Sequence, residues 1–460
     1  MENDGKPTNI FGLRISNLVT IQNASESLRG EIRNRLTIFN SVWAENEKMG
    51  RWNGNTPRFL HYYEETSSGL IVPRGFFPQL IGIAKRLGER FQIEDRRRIL
   101  PSVEFNFQGQ LRPFQTETAK RMLFRDMGTL SAPTGSGKTV IALNMIAARK
   151  QPALIITHTK ELLNQWTDRI EEFLRIPVNE IGRIGDAERR IGKKITVALV
   201  QTLYKCASQV SSHIGYLVVD ECHRTPARTF TEAVSAFDCQ FITGLSATPW
   251  RRDRLSKLIF WYVGNVIHQV SKEDLIDTGD VLRAEVITRE TNFRPYSDPT
   301  SEYTKMLSEL TEDPGRNRLI AQDVAKEARN GGGICLVLSD RKTHCSTLQG
   351  LLTQKGIKSE LLTGDLSNDD REATVEALNS GRVKVLIATG QLIGEGFDCK
   401  ALSTLFLTTP IRFDGRLLQY LGRVLRPALG KDKARVFDYV DPVGVLQAAA
   451  RARRRVYAQS

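Results

Sequence analysis

Residues 132–145 read APTGSGKTVIALNM, in which small and flexible residues precede a lysine and an apolar run follows it. The preceding run GTLSA (128–132) has the pattern of a buried strand, and the apolar residues after Lys138 recur at helical spacing. Glycines between a strand and a helix let backbone N–H groups turn toward phosphate oxygens, and the helix start adds its positive dipole end. The stretch therefore predicts a phosphate-binding loop, with an ordinary glycine-rich turn as the alternative.

Two residues of this loop have an expected task when a nucleotide is bound. Lys138 would neutralise the outer phosphates, and the Thr139 hydroxyl would ligate Mg²⁺. Ala132 stands where the strict phosphate-loop pattern has its first glycine. The predicted ATP-binding residues of the loop are Thr134, Gly135, Ser136, Gly137, Lys138 and Thr139.

A second apolar run, YLVVDECHRTPA (216–227), contains two adjacent carboxylates. Asp220 and Glu221 fall at the carboxyl end of a predicted buried strand, which is where parallel sheets bind their ligands. Asp220 would hold Mg²⁺, directly or through water, and Glu221 would polarise the attacking water. An acidic pair can also simply solvate a loop, but its combination with the lysine loop favours an ATP-hydrolysing site.

The composition favours a polyanionic partner. The chain of 460 residues has 65 Lys and Arg against 52 Asp and Glu, so its formal net charge is +13. Such an excess suits nucleic acid, although a merely soluble basic protein is the alternative. The six cysteines form no CxxC pair and the six histidines have no metal-ligand spacing, so we expect reduced thiols and no zinc site.

The chain also lacks the patterns of membrane and secreted proteins. Its first residues, MENDGKPTNIFG, are polar and acidic, unlike a signal peptide, and no apolar run approaches the length of a membrane span. We therefore expect a cytoplasmic location, which would be the host cytoplasm for a phage protein.

The strand and helix patterns predict three domains. Residues 1–108 have the mixed pattern of a small α/β domain, with a hairpin in RFLHYYEETSSGLIVPRGFF (58–77). Residues 109–280 alternate short, nearly continuous apolar runs with helical stretches, which predicts a doubly wound α/β lobe. Residues 281–460 repeat that architecture without a fixed sequence period. The predicted strands of the two lobes are GTLSA, ALIITHT, ITVALV, GYLVVD and FITGLSA, then GICLVLSD, SELLTGD, KVLIATG and TLFLTTP.

Taken in order, these segments resemble the motifs of the superfamily 2 helicases and translocases, from Leu111 to Pro427. LRPFQ (111–115) is similar to the segment that reads the adenine, which implicates Gln115 and Arg112. The loop and DECH are similar to the two nucleotide motifs; Ala132 is tolerated in that family, and Cys222 replaces the more usual alanine. The resemblance implies two tandem RecA-like lobes that use ATP and Mg²⁺.

Other segments resemble the motifs that contact nucleic acid or transmit movement. THTKELLNQW (157–166) and VQTL (200–203) are similar to motifs that contact the nucleic-acid backbone. LLTGDLSNDDRE (361–372) and IATGQLIGEGFD (387–398) are similar to motifs that grip the strand and the ribose. Ser246 and Thr248 of GLSATP would couple hydrolysis to lobe movement. The remaining residues implicated by resemblance are Thr157, Lys160, Gln201, Thr202, Thr363, Gly364, Thr389, Gly394, Glu395, Gly396 and Asp398.

The segment QYLGRVLRP (419–427) resembles the family's last motif. There Gln419, Arg423 and Arg426 would face the nucleotide across the cleft between the lobes. Guanidinium groups at the γ-phosphate stabilise the charge of the transition state, by about 10³ to 10⁵ in rate. Two arginines three residues apart on a helix can also form a surface ion-pair face.

Within the superfamily, the Gln-x-x-Gly-Arg-x-x-Arg pattern, DECH and LLNQW look closer to the XPB-like and UvsW-like group than to the DEAD-box RNA enzymes. The small N-terminal domain with VPRGF (72–76) is similar to that of phage branch-migration helicases. Arg251, Arg252 and Asp253 stand where XPB-type enzymes have an Arg-Glu-Asp element. The expected function is an ATP-dependent motor on branched, forked or duplex DNA. An RNA helicase, the motor of a restriction or defence complex, and an ATP-gated DNA clamp are the alternatives.

Overall fold

The computed structural model describes the greater part of the chain. The described residues are 10–222, 227–247, 256–331, 333–364, 366, 368–390, 399, 401–411, 417, 420–422, 424–425, 427, 431 and 433–458. They divide into two compact units, Met1–Ala132 with Gly137–Val270 and Pro133–Ser136 with Ser271–Ser460. The three-domain division with boundaries after residues 108 and 280 stays a prediction.

The N-terminal part of the first unit is a five-stranded sheet with two packed helices. The strand order is β5-β6-β2-β1-β7; β1 and β7 are parallel and the other pairs are antiparallel. The predicted hairpin is confirmed as the pair of β5 and β6. A separate two-stranded sheet joins β3 and β4. The elements are β1 (Ile10–Ile15), β2 (Leu18–Gln22), α1 (Glu26–Arg35), β3 (Thr37–Phe39), α2 (Ser41–Lys48), β4 (Phe59–His61), β5 (Glu64–Thr66), β6 (Gly69–Pro73), a 3₁₀ turn (Arg74–Phe76), α3 (Phe77–Arg86) and β7 (Arg90–Asp95).

The helix α1 shows how local sequence sets these boundaries. The Ser25 hydroxyl accepts a hydrogen bond from the Leu28 N–H at 3.1 Å, so it caps the helix start. Acidic and basic residues in the first and last turns complement the helix dipole. Leu28 and Ile32 lie one turn apart and are fully buried, so the helix covers one face of the sheet.

The rest of the first unit is an eight-stranded sheet in the order β11-β10-β12-β9-β13-β14-β8-β15. Every pair is parallel except β10 with β11, which confirms the five predicted parallel strands. Its elements are α4 (Pro113–Leu123), β8 (Met127–Ser131), α5 (Lys138–Arg149), β9 (Ala153–Thr157), α6 (Lys160–Leu174), a 3₁₀ turn (Val178–Glu180), β10 (Gly182–Gly185), β11 (Glu188–Arg190), β12 (Ile195–Leu199), α7 (Val200–Leu203), α8 (Ala207–Ser211), β13 (Tyr216–Val219), α9 (Ala227–Ser235), β14 (Phe241–Ser246), α10 (Ser256–Val263) and β15 (Val266–Gln269).

The N-terminal sheet and this larger sheet are joined by α10. Ile259 and Val263 belong to the core of the larger sheet, whereas Leu258 and Trp261 belong to the N-terminal core. The Trp261 ring lies 5.5 Å from that of Tyr62. A Cβ added to Gly75 would lie 2.5 Å from the Phe260 carbonyl oxygen, so only glycine permits this approach. The N-terminal domain is therefore packed onto the first lobe through a shared core.

The second unit is a six-stranded, fully parallel sheet in the order β16-β21-β20-β17-β19-β18. It contains all four predicted strands of the second lobe. The elements are α11 (Lys272–Asp277), β16 (Ala284–Glu290), α12 (Tyr303–Glu312), α13 (Pro314–Asn330), β17 (Ile334–Ser339), α14 (Lys342–Gln354), β18 (Glu360–Leu362), α15 (Asn368–Asn379), β19 (Val385–Thr389), β20 (Leu402–Leu407), β21 (Ala434–Val440) and α16 (Gly444–Ala458).

All six cysteines are buried, and none of them is in a disulfide. Within the described ranges, no three His, Cys, Asp or Glu side chains gather as a metal site would require. None of the described helices combines the length and the apolar character that a bilayer crossing demands.

Candidate nucleotide site and nucleic-acid interface

The glycine-rich loop joins β8 to α5, as the sequence predicts. Gly135 and Gly137 have φ angles of +93° and +79°, in the left-handed region that glycine adopts without strain. The Ala132 N–H donates to the Ser246 carbonyl at 2.9 Å, which ties the loop start to the end of β14. The Lys138 ammonium donates to the Ala132 carbonyl at 3.1 Å, so the charge lies back over the loop.

Gln115 connects the predicted adenine segment to this loop. Its side-chain oxygen accepts from the Arg112 N–H at 3.0 Å and so helps to cap α4. A Cβ added to Gly137 would lie 2.4 Å from the Gln115 amide nitrogen, so the buried amide packs directly on the loop. The Arg112 side chain is exposed beside it. The two residues that resemblance assigns to the adenine are thus at the edge of the phosphate loop.

Asp220 and Glu221 follow β13, and the structure gives them different environments. The Asp220 side chain is only 8% exposed; its carboxylate accepts from the Trp166 indole N–H at 2.8 Å and from the Glu221 N–H at 2.9 Å. Burial first, and the neighbouring Glu221 second, raise the pKa of Asp220 to about 6, while the Trp166 hydrogen bond and the Lys138 charge oppose that rise.

The backbone around this pair is held in an uncommon shape. Glu221 has a φ angle of +46°, which costs free energy for a residue with a side chain. The residues on either side are fixed, because the Asp220 N–H donates to the Ile156 carbonyl at 2.9 Å and the Cys222 N–H donates to the Leu245 carbonyl at 3.2 Å. The neighbouring strands therefore hold the glutamate in place.

The structure brings the loop residue Lys138 and the acidic pair to the same edge of the sheet. β13 pairs with β14 and β14 pairs with β8, all in parallel, so their carboxyl ends lie side by side. A buried carboxylate and a hydroxyl are oxygen ligands of the kind that Mg²⁺ prefers. Asp220 and the half-buried Thr139 therefore fit a magnesium ion bound with a nucleotide.

Trp166 is a site residue that the sequence reasoning missed. With Leu163 and Ile170 it lies on the buried face of α6. A buried indole N–H requires an acceptor, and that requirement was the available signal. The sequence alone does not identify Asp220 as the acceptor, because the two residues come together only when β13 is placed beside β9.

Two of the four nucleic-acid residues predicted in the first lobe lie at the end of β9 and the start of α6. Thr157 is buried, and its hydroxyl donates to the Ala198 carbonyl at 3.3 Å on the neighbouring strand β12. The exposed Lys160 at the start of α6 forms an ion pair with Asp186 at 2.6 Å. Lys160 in turn lowers the pKa of Asp186 through their hydrogen bond.

The other two follow β12. Gln201 is exposed and its amide donates to the His158 carbonyl at 3.0 Å, while Thr202 is half-buried in α7. Because β9 and β12 are parallel neighbours, the structure groups all four predicted residues at one sheet edge.

In the second unit, Thr363 and Gly364 follow β18, and Thr389 is the last residue of β19. The strands β18 and β19 are parallel neighbours. The Tyr420 hydroxyl donates to the Gly390 carbonyl at 2.7 Å, which joins the last two predicted motifs of this unit. The other predicted residues lie outside the described residues: Thr248, Arg251, Arg252, Asp253, Gly394, Glu395, Gly396, Asp398, Gln419, Arg423 and Arg426.

Two family models match the chain at these sites. Residues 108–251 match the type III restriction enzyme res subunit, and residues 317–428 match the helicase conserved C-terminal domain. The first match contains the phosphate loop and the acidic pair, and the second contains the motifs of the second unit.

Curated relatives carry helicase and translocase names. A putative ATP-dependent RNA helicase of Acanthamoeba polyphaga mimivirus is 25% identical, over 74% of this chain and 66% of that protein. The DNA 3'-5' translocase XPB2 of Sulfurisphaera tokodaii is 31% identical, over 40% of this chain and 42% of that protein. The ATP-dependent DNA helicase uvsW of Enterobacteria phage T4 is 23% identical, over 89% of this chain and 85% of that protein. The alignments with the first two thus span less than two thirds of each relative.

A solved structure supports the fold. Saccharomyces cerevisiae Dbp5 bound to RNA and ADP BeF3 matches with a TM-score of 0.55 at 15% sequence identity, covering 83% of this chain and 91% of that chain. The likeness, together with the two parallel sheets, shows two tandem RecA-like lobes.

Proposed function

Because the chain is a superfamily 2 helicase of the group that includes the XPB-like and UvsW-like proteins, and therefore an ATP-dependent hydrolase, we propose that its substrate is branched DNA. The motor would move branch points, reverse forks or unwind duplexes during replication, recombination or repair. Activity on nucleic acid follows from the family; the choice of DNA and of branched structures is the proposal.

The choice of DNA as the substrate rests on the length of one alignment. The alignment with the phage T4 protein, named an ATP-dependent DNA helicase, covers 89% of this chain and 85% of that protein. A match of that length includes far more than the two helicase motif regions, which by themselves do not separate DNA from RNA motors. It supports a shared substrate class and a shared use of the N-terminal domain.

For ATP hydrolysis, we assign each step to a residue of this chain. The loop residues 134–139 would bind the phosphates, with Lys138 on the outer ones, and Gln115 would select adenine. Mg²⁺, held by Asp220 and Thr139, would supply positive charge to the phosphates. Glu221 would orient and polarise the attacking water. Arg423 and Arg426 would stabilise the charge of the transition state, as the resemblance implies.

Movement along DNA would use contacts to sugar and phosphate. The grouped residues at the sheet edge of the first lobe, with Thr363, Gly364 and Thr389 of the second, would hold the strand. Because such contacts do not involve the base edges, binding would be independent of DNA sequence. Because they release counterions, binding would weaken strongly with added salt. Ser246 and Thr248 would couple hydrolysis to the lobe movement that changes these DNA contacts.

The test measures ATP hydrolysis by the native chain with a mobile four-way DNA junction, a fork, a linear single strand and an RNA duplex. Glu221→Gln is the control, because it removes the charge on the water-polarising residue while keeping its size. We expect stimulation and strand movement on the junction and fork, with a loss of about 10²- to 10³-fold in Glu221→Gln. No stimulated turnover in the native chain would leave an ATP-gated clamp.

One observation favours a second candidate, an RNA helicase. The mimivirus relative, which covers 74% of this chain, is named a putative RNA helicase. Greater ATPase stimulation and unwinding with the RNA duplex than with either branched DNA would replace the DNA proposal with this one.

A further inference from the structure

One segment of the N-terminal domain lies mostly outside its core, against which Ile38 packs. We call residues 37–61, which include β3, α2 and β4, the aromatic projection. Its two strands pair only with each other, apart from the five-stranded sheet. The helix α2 contains Val42 and Trp43 and yet has no buried residue. An eight-residue helix that buries nothing contributes little to the core, so another role must account for its apolar residues.

The projection is nevertheless firmly built. The Asn40 side chain caps α2 by accepting from the Val42 N–H at 3.1 Å, and it donates to the Pro57 carbonyl at 2.8 Å. The Asn53 amide accepts from Asn46 at 3.2 Å, which ties the loop after α2 back to the helix. The polar groups are thus used inside the segment, and its aromatic groups are left on the outside.

Those aromatic side chains form one connected surface. The ring centroid of Phe39 lies 6.0 Å from Trp43 and 5.8 Å from Phe59. The Arg58 guanidinium lies over both neighbours, 5.2 Å from the Trp43 centroid and 5.7 Å from that of Phe59. Phe39 and Phe59 remain 45% and 44% exposed. Arg58 covers part of the Trp43 and Phe59 faces, so a ligand can reach the exposed parts of the rings and the exposed guanidinium itself.

Trp52, in the loop after α2, adds a second exposed ring. Its side chain is 91% exposed, the largest exposure of any described tryptophan. The indole rests on Gly54, where an added Cβ would lie 2.9 Å from the ring. Gly54 has a φ angle of +45°, so glycine allows both the turn and the close contact. The ring is thereby positioned although it is not buried.

The charges of the projection distinguish it from the rest of its domain. Within the described chain, Lys48, Arg51 and Arg58 have no carboxylate partner within ion-pair distance. Most arginines elsewhere in the N-terminal domain do have such partners, namely Arg14, Arg29, Arg33, Arg35, Arg86, Arg96, Arg97 and Arg98. Glu45 and Glu47 lie in the same segment, so three cations against two carboxylates leave a net charge of +1 beside the aromatic surface.

We propose that the aromatic projection binds unpaired bases of single-stranded DNA at a branch point. This inference rests on the proposed function, because it names the DNA feature that the N-terminal domain recognises. Bases stack on aromatic rings and on guanidinium planes regardless of sequence, and nearby cations hold the phosphates. Continuous duplex offers its base faces only to one another, so the projection selects DNA in which bases are unstacked.

The first experiment measures the affinity of the full chain for a four-way junction, a single strand and a blunt duplex. Trp52→Ala and Arg58→Ala should bind the junction and the single strand about 5- to 100-fold more weakly, which is the effect of losing a stacking group. Duplex affinity should fall much less. Phe124→Ala is the matched control, because that ring is 81% exposed and also lies under an arginine, Arg125, at 5.4 Å. We expect native binding from it.

The second experiment uses the native chain and places 5-iodouracil in the unpaired bases of the branch. Irradiation should cross-link that base to Trp52, Phe39, Phe59 or Trp43. Cross-links confined to the helicase lobes would overturn the inference. So would unchanged junction affinity in both variants. A changed oligomeric state with native DNA affinity in Trp52→Ala would also overturn it, because the surface would then be a protein contact.

These outcomes are separable from failure of the proposed function. If the native chain shows no DNA-stimulated ATPase or junction movement, the proposed function fails, whereas the binding and cross-linking results still decide the inference. If the native chain is active on junctions and the variants bind them normally, the inference fails and the function stands.

Discussion

The nucleotide site and the aromatic projection use opposite physical environments. At the nucleotide site, Asp220 is 8% exposed, has hydrogen-bond partners and interacts electrostatically with Lys138 and Glu221. In the projection, Trp52 is 91% exposed and Arg58 has no carboxylate partner within the described chain. Removal from water strengthens the electrostatic interactions that hydrolysis needs. Exposure instead leaves aromatic rings and cationic side chains accessible, so the proposed hydrolysis and the proposed DNA binding depend on different physical environments.

The largest effect should come from changing one environment while leaving the other intact. Lys138→Ala should lower DNA-stimulated ATP hydrolysis by about 10²- to 10³-fold, because it removes the cation expected at the outer phosphates. Junction affinity without nucleotide should stay native. Lys120→Ala, an exposed lysine on α4, is the control for lost positive charge. Equal loss of ATPase and of nucleotide-free junction binding would show that the two regions act as one site.

The burial of Asp220 should appear in the pH dependence of stability. Its pKa rises from 3.8 to about 6 on folding, so the folded state holds the proton more tightly and this carboxylate loses stability as the pH rises through that interval. In EDTA, the free energy of unfolding of Asp220→Asn relative to the native chain should increase by about 2 kcal/mol between pH 4 and pH 7. Chemical denaturation at several pH values measures it; a pH-independent difference would contradict the burial argument.

The boundary between the N-terminal core and the first lobe gives the next effect. Gly75→Ala should lower the free energy of unfolding by about 1–3 kcal/mol, because its Cβ would lie 2.5 Å from the Phe260 carbonyl oxygen. Gly82→Ala is the control: it lies inside α3 with nothing within 4 Å of the added Cβ, so it should be neutral or stabilising. If Gly75→Ala matches that control, the two cores are independent and the comparison between their sites becomes one between separate domains.

The smallest effect should come from a partner of Asp220. Trp166→Phe removes the indole N–H and should lower the free energy of unfolding at pH 7 by about 1–2 kcal/mol. Since that hydrogen bond lowers the pKa of Asp220, the acid limb of the ATPase pH profile should also move to higher pH. Trp261→Phe, which trims an indole in the N-terminal core, should leave the pH profile unchanged. A shift in both variants would assign the effect to general loosening.

The sequence predicted the parts of the fold whose signals are local. The runs at β8, β9 and β13 are short and nearly continuous in apolar or small residues, so each one indicates a buried parallel strand by itself. The antiparallel pair of β10 and β11 went unpredicted, because β11 is short and fully exposed and has no apolar run. The strand β3 also went unpredicted, because its three residues lie between α1 and α2 and its partner β4 follows α2 in the chain.

The candidate site divides in the same way. Lys138, Asp220 and Glu221 could be predicted because each belongs to a short segment with its own chemical pattern. Trp166 was not found, because its task depends on an acceptor 54 residues away. The shared core around α10 was also hidden, so removal of residues 1–100 would expose the face of that helix that holds Leu258 and Trp261. Point substitutions in the projection are therefore the cleaner test of DNA binding.

By itself the sequence determined the two α/β lobes, the phosphate loop, the acidic pair and the basic character of the chain, because periodicity, glycine placement and charge are properties of neighbouring residues. Only the tertiary structure decided which apolar residues of SKLIFWYV (256–263) belong to which core. It likewise decided that Arg453 is buried against Asp438 while Arg454 beside it is exposed. Which residues are buried, and against which partner, depends on contacts between segments far apart in the chain, and local sequence patterns do not reveal such contacts.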